Sequence, residues 1–198
     1  MESTKYYRAG FLEIYTGPMK SGKSSALIGR VEKLKYAKNI NLQLFKPKLD
    51  TRFNDLKIIS RRGDSIRSTS ISEKNPKEIL DKVKEKIDVV AIDEVHFFNK
   101  EIIEVVKKMI KEGKNVILAG LDLDFKGEPF GCMPYLMAIA NRVIKLEGIC
   151  DYPGCNNRGT RTQRLIDGKP APPDSPLILV GGDELYEVRC LKHHVIPE

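Results

Sequence analysis

The 198-residue sequence predicts an α/β fold in which helices flank a mostly parallel β-sheet, followed by a small β subdomain. Strand-like and helix-like segments alternate over residues 1–148, which is the pattern of a parallel sheet covered on both faces. Several strand segments are continuous apolar runs, as expected for strands that are buried on both sides. Over residues 149–198 the composition changes, because this stretch holds three of the four cysteines and six of the eleven prolines. We therefore expect a core at residues 1–148 and a β subdomain at residues 149–198.

The elements of the core follow from apolar spacing and turn residues. Strands are expected at residues 11–16, 41–45, 88–92, 115–120 and 142–146, with two short strands within 57–71 around Arg62-Gly63-Asp64. Helices are expected at residues 24–38, 75–86, 99–112 and 132–141, the first and third of them on apolar residues at helical spacing. Residues 46–56 and 121–131 are expected to be irregular.

The composition excludes several classes of protein. Hydrophobic residues make up 41% and charged residues 31%, an ordinary globular profile and not that of a disordered or collagen-like chain. The longest apolar run is six residues, at 135–140, against about 20 for a membrane-spanning helix. Residues 1–10 show no signal-peptide pattern, so we expect a cytoplasmic protein whose cysteines are thiols or metal ligands rather than disulfides.

The net charge of +7 is concentrated near the start of the chain. Residues 1–60 hold 12 basic and 5 acidic residues, whereas residues 61–198 hold 22 of each. A basic excess suits a polyanion, either a nucleic acid or the phosphates of a nucleotide. A lysine-rich solvated surface would give the same charge, so charge alone leaves these alternatives open.

A phosphate-binding loop is predicted between the first strand and the first helix. It fits G-x-x-x-x-G-K-[ST] at every fixed position, with the residues Gly17, Pro18, Met19, Lys20, Ser21, Gly22, Lys23 and Ser24. A side chain at Gly17 or Gly22 would crowd the backbone N–H groups that turn inward around a phosphate, and the helix N-terminus adds its dipole. Lys23 would reach the β- and γ-phosphates, and the Ser24 hydroxyl would bind Mg²⁺. The motif in this setting predicts a nucleoside triphosphate site on a P-loop NTPase core.

An acidic pair follows the strand at 88–92. Asp93 is delivered to the carboxyl edge of the sheet, where ligands of α/β proteins lie, and would hold Mg²⁺ directly or through water. Glu94 follows at once and would accept a proton from a hydroxyl nucleophile or orient an attacking water. The run Asp93-Glu94-Val95-His96 also spells a helicase-like box, so the rival hypothesis is an ATPase driven by nucleic acid. The length argues against this rival hypothesis, since such motors resemble two stacked ATPase domains. The charge also argues against it, because such a motor would have basic patches with stacking aromatics spread along the chain, whereas the basic excess here is concentrated near its start.

A metal site is predicted in the C-terminal subdomain. Four residues separate Cys150 from Cys155, two separate Cys190 from His193, and 34 lie between the two pairs. Two short chelating pairs are typical of a structural zinc ribbon, and a Cys₃His set leaves no open position for catalysis. His193 is preferred over His194 because two intervening residues make a tight knuckle. Bound zinc would therefore supply folding free energy.

Together these motifs resemble the type II, cytosolic-type thymidine kinase family over nearly the whole chain, from Gly10 to His194. The residues that carry the resemblance are 17–24, Asp50-Thr51-Arg52, Ile92-Asp93-Glu94 with Phe97-Phe98, Leu121-Asp122 with Phe125, Pro129-Phe130-Gly131, Thr162-Gln163-Arg164, Val180-Gly181-Gly182 with Tyr186, and Cys190 with His193. The resemblance implies transfer of the ATP γ-phosphate to the 5′-hydroxyl of thymidine in deoxynucleoside salvage, with deoxyuridine as a second substrate. It also implies a homotetramer and feedback inhibition by dTTP, and we expect neither a nucleic acid nor a membrane as partner.

The resemblance also implies roles for individual residues. Glu94 corresponds to the catalytic base, Arg52 to an arginine near the reacting phosphates, and Ser24 with Asp93 to the Mg²⁺ site. The walls of the nucleoside pocket correspond to Met19, Phe97, Leu121, Phe125, Phe130, Thr162, Val180, Gly182 and Tyr186. Residues 163–182 resemble the family's loop that closes over the base. In the family, much of the binding of the base by this loop consists of backbone hydrogen bonds. A flat apolar slot suits a methylated pyrimidine, although core packing would also explain the aromatic side chains.

Two positions depart from the family pattern. The first cysteine pair is usually C-x₂-C, and here it is C-x₄-C, with Tyr152-Pro153-Gly154 in the enlarged turn. Position 20 is usually aromatic or small, and here it is Lys20, which would either contact phosphate or point to solvent. Cys132 lies outside both metal-binding pairs and is expected to be a packed thiol.

Overall fold

The structure, a computed structural model, describes residues 10–37, 39–48, 57–59, 63, 65–178 and 185–197. Strands in these ranges are β1 (Leu12–Thr16), β2 (Leu42–Pro47), β3 (Lys57–Ile59), β4 (Ser65–Arg67), β5 (Thr69–Ile71), β6 (Val89–Ile92), β7 (Asn115–Gly120), β8 (Arg142–Lys145), β9 (Gly148–Ile149), β10 (Arg158–Gly159), β11 (Arg161–Ile166), β12 (Lys169–Pro170) and β13 (Tyr186–Arg189). Helices in these ranges are α1 (Lys23–Lys35), α2 (Glu78–Lys82), α3 (Ile102–Lys111) and α4 (Met133–Ile139), with one 3₁₀ turn at Val95–Phe97. Three predicted site residues, Arg52, Val180 and Gly182, lie outside the described residues.

The core is a six-stranded sheet in which every neighbouring pair is parallel. Its strand order is β5-β2-β6-β7-β1-β8. The predicted α/β class with a mostly parallel sheet is therefore confirmed. In the register of the sheet, Ile92 of β6 lies opposite Leu118 of β7, which lies opposite Ile14 of β1. Because all six strands end at one edge, the segments that follow β1, β6 and β7 begin side by side.

Successive residues of the central strands pack on opposite faces of the sheet, which explains why helices cover both faces. Val116 and Leu118 of β7 belong to the hydrophobic cluster that α3 and α4 complete, whereas Ile117 and Ala119 belong to the cluster that α1 completes. Both β6 and β7 are buried along their whole length, as predicted for apolar strands between two helical layers. The strand β8, predicted at residues 142–146, lies at the edge of the sheet and is largely exposed.

The second helix is shorter than predicted. The sequence pattern extends it over residues 75–86, but α2 spans only Glu78–Lys82. A side chain of β2 ends it: Gln43 Nε2 donates to Lys82 O at 2.9 Å, and Lys84 N donates to Gln43 Oε1 at 3.3 Å. These bonds take up backbone groups that would otherwise continue the helical pattern, so a tertiary contact overrides the local sequence.

The segment 57–71 contains one strand more than predicted. The strands β3 and β4 pair antiparallel as the expected hairpin, with Ile58 opposite Ile66. The additional strand β5 pairs parallel with β2 at the edge of the main sheet. The sequence prediction merged β4 and β5 because only Ser68 separates them.

After β8 the chain forms small antiparallel sheets. The strands β9 and β10 make one pair, and β11 lies between β12 and β13 in another sheet. The proposed division at residues 148 and 149 stays a prediction, and β9 spans it. Among the described residues, no helix combines the length and the apolar character needed to cross a membrane.

Candidate active site and metal centre

The predicted phosphate-binding loop, residues 17–24, joins β1 to α1 at the carboxyl edge of the sheet. Its backbone takes left-handed φ angles of 141° at Gly17, 60° at Lys20 and 85° at Gly22. A Cβ on Gly17 would lie 2.2 Å from the carbonyl oxygen of Leu146, so only glycine fits there. The expected crowding is wrong for Gly22, because a Cβ there would meet no atom of the described residues within 4 Å, and the left-handed φ is the reason for glycine. The loop therefore has the fixed, turning backbone that an anion-binding loop needs.

Lys23 is held against the loop that precedes it. Its side chain is buried, and Nζ donates to the carbonyl oxygen of Pro18 at 2.6 Å. Ser21 Oγ donates to the same carbonyl at 2.8 Å. The first turn of α1 contains no acidic residue, so nothing there offsets the positive end of the helix dipole. Together the ammonium and the helix N-terminus give the loop a positive potential suited to phosphate.

The acidic pair lies directly after β6. Asp93 is buried, its N–H donates to Phe45 O at 3.0 Å, and its Oδ1 accepts a hydrogen bond from Glu94 N at 3.0 Å. Glu94 has a left-handed backbone, with φ 50° and ψ 38°, which is unusual for a residue with a side chain. This conformation turns the chain abruptly from the strand into the 3₁₀ turn. A strained non-glycine residue held by its surroundings is typical of a functional position.

Three predicted wall residues of the nucleoside pocket meet around one histidine. The rings of Phe97 and Phe130 lie edge to face with centroids 6.5 Å apart. The His96 ring contacts both of them, at 4.1 Å and 4.9 Å between centroids. Leu121, the first residue after β7, donates its N–H to His96 Nδ1 at 3.1 Å. The structure thus brings Phe97, Leu121 and Phe130 together on the loops that follow β6 and β7.

A second group of predicted wall residues meets around a buried arginine. The Arg164 guanidinium lies 4.1 Å from the ring centroid of Phe125 and 5.3 Å from that of Tyr186. The same guanidinium donates to Pro176 O and, at 2.7 Å, to Leu177 O. The segment 163–182 is not a loop throughout, because its first residues belong to β11 and β12 follows at Lys169–Pro170. From β11, Arg164 ties the later part of the segment, at Pro176 and Leu177, to two aromatic walls.

Contacts from the C-terminal subdomain reach the phosphate-binding loop. Met19 N donates to Thr162 Oγ1 at 3.0 Å, which joins two predicted pocket residues from distant parts of the chain. Lys20 Nζ lies 3.6 Å from Asp151 Oδ2, which also accepts a hydrogen bond from Val188 N at 2.8 Å. The Lys20 side chain thus faces an acidic partner of the subdomain, an arrangement that neither of its two predicted roles included.

The predicted metal ligands converge. The ligand atoms of Cys150, Cys155, Cys190 and His193 all lie within 4.8 Å of one another. His193 Nδ1 lies 3.6 Å from Cys150 Sγ and 3.4 Å from Cys190 Sγ. Tetrahedral zinc, with bonds of about 2.3 Å to sulfur and about 2.0–2.1 Å to nitrogen, would place such atoms about 3.5 Å apart. The donor set and its spacing therefore fit a structural zinc ion.

The backbone around the metal site explains which histidine takes part. The N–H groups of His193 and His194 both donate to Cys190 O at 3.0 Å, which forms the knuckle predicted from the spacing. His194 is used elsewhere, since its Nε2 lies 2.8 Å from Phe125 O. In the enlarged turn, Cys155 N donates to Tyr152 O at 2.9 Å. The Tyr152 ring stacks on His193 with centroids 4.0 Å apart, so the two extra residues place an aromatic cover over one metal ligand.

Cys132 is a packed thiol, as predicted. It is buried in the hydrophobic core, and its Sγ lies 3.5 Å from Val95 O. Burial raises the pKa of the Cys132 thiol to about 11. This cysteine is therefore unsuited to metal binding or nucleophilic chemistry near neutral pH.

Sequence reasoning missed the parts played by His96, Arg164 and Asp151. His96 entered only as one letter of a helicase-like box, and Asp151 had no motif to mark it. Arg164 carried a usable signal, because alternate residues of a strand share a face and Arg164 stands two positions after Thr162 in β11. An arginine beside a predicted pocket residue on a largely buried strand needs partners, and the structure supplies them.

Comparisons with known proteins were made for the sequence and for the fold. The sequence model of the thymidine kinase family matches residues 10–194. Among solved structures, the large terminase of a thermophilic bacteriophage is similar, with 10% identity and a TM-score of 0.42. That likeness covers 73% of this chain and 42% of the terminase chain, so this chain spans less than half of that protein. A TM-score this low supports no argument about the fold or the function of this chain.

Proposed function

The chain belongs to the thymidine kinase family, and we propose that it transfers the γ-phosphate of ATP to the 5′-hydroxyl of thymidine, with deoxyuridine as a second acceptor. The observation that carries this proposal is the Met19 to Thr162 hydrogen bond of 3.0 Å. It joins the phosphate-binding loop to the β11 strand that also bears Arg164. This contact supports a donor site and an acceptor site that adjoin each other, as a direct transfer would require.

On the donor side, the proposal assigns the triphosphate to residues 17–24. The backbone N–H groups of the turning loop and the start of α1 would hold phosphate oxygens, and Lys23 would stabilise charge on the transferring group. Mg²⁺ would be held by the Ser24 hydroxyl and the Asp93 carboxylate, and would neutralise phosphate charge. Asp93 suits this role because it is buried directly after β6, at the edge of the sheet, and its carboxylate oxygens are the type of ligand that Mg²⁺ prefers.

On the acceptor side, the proposal assigns proton acceptance to Glu94. Its side chain is only 14% exposed and lies 3.6 Å from His96, whose ring contacts Phe97 and Phe130. A carboxylate there would accept the proton of the 5′-hydroxyl as the bond to phosphorus forms. A second role for the same group is orientation of the hydroxyl, because phosphoryl transfer can pass through a loose transition state in which deprotonation is late.

The loop at 163–182 would close over the bound nucleoside. Support for this role comes from the described part, where Arg164 fixes the carbonyl groups of Pro176 and Leu177 beside Phe125 and Tyr186. Closure would exclude water, which otherwise competes with thymidine for the phosphoryl group. The zinc held by the three cysteines and His193 would have a structural role, because its four ligands leave no open position. A homotetramer and inhibition by dTTP are further parts of the proposal and rest on the family resemblance.

The proposal is tested by product formation with defined acceptors. ATP turnover is measured with thymidine, with deoxyuridine, with single-stranded DNA and with no acceptor, and the nucleotide products are identified by mass spectrometry. We expect Mg²⁺-dependent formation of thymidine 5′-monophosphate together with ADP, and no stimulation by DNA. Stimulation by DNA without any nucleoside product would favour the helicase-like rival instead.

A further inference from the structure

The Glu94 carboxylate has a specific neighbour, which is the buried His96 two residues later. His96 Nε2 lies 3.6 Å from Glu94 Oε2, and the imidazole side chain is fully shielded from solvent. Glu94 lies two residues after β6 in a left-handed conformation, and the 3₁₀ turn at Val95–Phe97 brings His96 back beside it. The contact is thus built by the local turn, which the D-E-V-H sequence makes at the end of the strand.

The opposite side of the imidazole ring is fixed by the backbone. Leu121 N donates to His96 Nδ1 at 3.1 Å, so Nδ1 serves as an acceptor and carries no proton. The ring proton then lies on Nε2, which is the nitrogen that faces Glu94. The packing of Phe97 and Phe130 against the ring prevents it from turning away. The ring is therefore held in one orientation and one tautomer, with a donor directed at the carboxylate.

The end of β7 is shaped to accept this ring. A Cβ placed on Gly120 would lie 3.2 Å from His96 Nδ1, 3.0 Å from Val95 Cγ1 and 3.1 Å from the sulfur of Met133. Any larger residue at Gly120 would press on the ring and on the residue before it. A histidine that served only as packing would not need its Nδ1 so close to Gly120, which has no side chain.

We propose that His96 is a positioning residue for Glu94, which rests on the function proposed above. From its distance of 3.6 Å, Nε2–H would close on Oε2 of the carboxylate when the nucleoside binds, because catalytic hydrogen bonds are often long without substrate and tighten in its complex. The closed contact would orient the carboxyl group toward the 5′-hydroxyl of the nucleoside. Through Phe97, Phe130 and the backbone of Leu121, the same ring joins the carboxylate to the walls of the nucleoside pocket. Binding of the base in this pocket therefore fixes the orientation of the Glu94 carboxylate as well as that of the substrate. Such coupling of orientation and binding is a source of rate enhancement in enzymes.

Two substitutions separate positioning from packing. His96→Gln keeps an acceptor and a donor on a shorter, thinner side chain, whereas His96→Phe keeps the ring and loses both nitrogens. We expect His96→Phe to lower kcat at saturating thymidine and ATP by roughly 10- to 100-fold, because misplacement of a reacting group by about an ångström can cost about 100-fold. We expect His96→Gln to retain most of kcat. A packing role predicts the reverse order, since Phe suits an apolar site better than Gln.

A double-mutant cycle with Glu94→Gln makes the test specific. If His96 acts through Glu94, His96→Phe should lower the residual kcat of the Glu94→Gln enzyme little further, whereas independent effects would multiply. Multiplying effects would overturn the proposal. Absence of thymidine phosphorylation in the unmodified protein would instead refute the proposed function.

A measurement on the unmodified protein covers the case in which a variant fails to fold. Proton–nitrogen NMR correlation spectra of ¹⁵N-histidine-labelled protein report which ring nitrogen carries the proton. We expect the His96 signals of a neutral ring protonated on Nε2. A proton on Nδ1 would contradict the geometry from which the proposal is drawn.

Discussion

Arg164 offers a direct test of the proposed closure of residues 163–182 over the nucleoside. The substitution Arg164→Met keeps most of the length of the side chain, but removes the bonds to Pro176 O and Leu177 O and the contacts with Phe125 and Tyr186. A hydrogen bond to a charged group contributes about 1.5–3 kcal/mol, and a cation–π contact about 0.5–2 kcal/mol. The freed carbonyl groups regain water when the loop opens, so only part of this sum is lost. We expect about 1.4–2.8 kcal/mol, which is a 10- to 100-fold rise in the KM for thymidine.

The assay is steady-state kinetics with each substrate varied in turn, together with limited proteolysis of the loop. The KM for ATP and the value of kcat should stay within about threefold, because Lys23 and Glu94 are untouched. Cleavage within residues 167–178 should become faster, and bound thymidine should slow it. Arg161→Met is the matched control, since Arg161 stands on the same strand and its NH1 donates only to neighbouring Thr160 atoms among the described contacts. An Arg164→Met enzyme with the normal KM for thymidine and normal proteolysis would refute the reasoning.

Three further predictions concern the metal site and the phosphate-binding loop. Cys190→Ser, or prolonged chelation, should lower the unfolding temperature and release close to one zinc per chain, and equal stability with and without metal would remove the site. Lys23→Ala should lower kcat/KM by about 100-fold or more (on the order of an oxyanion-site deletion) with little change in unfolding temperature, so normal kinetics would show that Lys23 does not serve phosphate. Gly17→Ala should cost about 1–3 kcal/mol, or roughly 3–10 °C in unfolding temperature, because its Cβ would meet Leu146 O. Gly29→Ala, with open space in α1, is its control and should be neutral or slightly stabilising; equal effects would refute the steric argument.

The parts of the fold that could be predicted depend on local signals. Continuous apolar runs predicted the bounds of β6 and β7 to within one or two residues. Strands buried on both faces can be identified from their own sequence, without knowledge of the strands they pair with. The position of the loop at residues 17–24 between β1 and α1 and the convergence of the two chelating pairs were predictable from local signals too, since each is a short motif with a characteristic spacing. The convergence of Cys150, Cys155, Cys190 and His193 shows that even the enlarged first pair keeps its ligands in range.

The features that escaped prediction depend on contacts between distant residues. The end of α2 is decided by Gln43 of β2, 39 positions away from Lys82 in the chain. The exposure of β8 follows from its place at the edge of the sheet, which its own sequence does not specify. His96 could be noticed in the sequence but not interpreted, because its tautomer depends on the backbone of Leu121. Helix ends, edge strands and ring orientation are thus tertiary properties.

The most direct test of the proposed chemistry is kcat for Glu94→Gln at saturating thymidine and ATP. Glutamine keeps the size and reach of the side chain but cannot accept the proton of the 5′-hydroxyl. General-base catalysis contributes about 10²- to 10⁴-fold, so we predict a fall of that size with both substrates still bound. The exposed Glu101, changed to Gln, is the control and should leave kcat unchanged. A Glu94→Gln enzyme within about threefold of the normal kcat would contradict proton acceptance by Glu94 and leave it only the orientation of the hydroxyl.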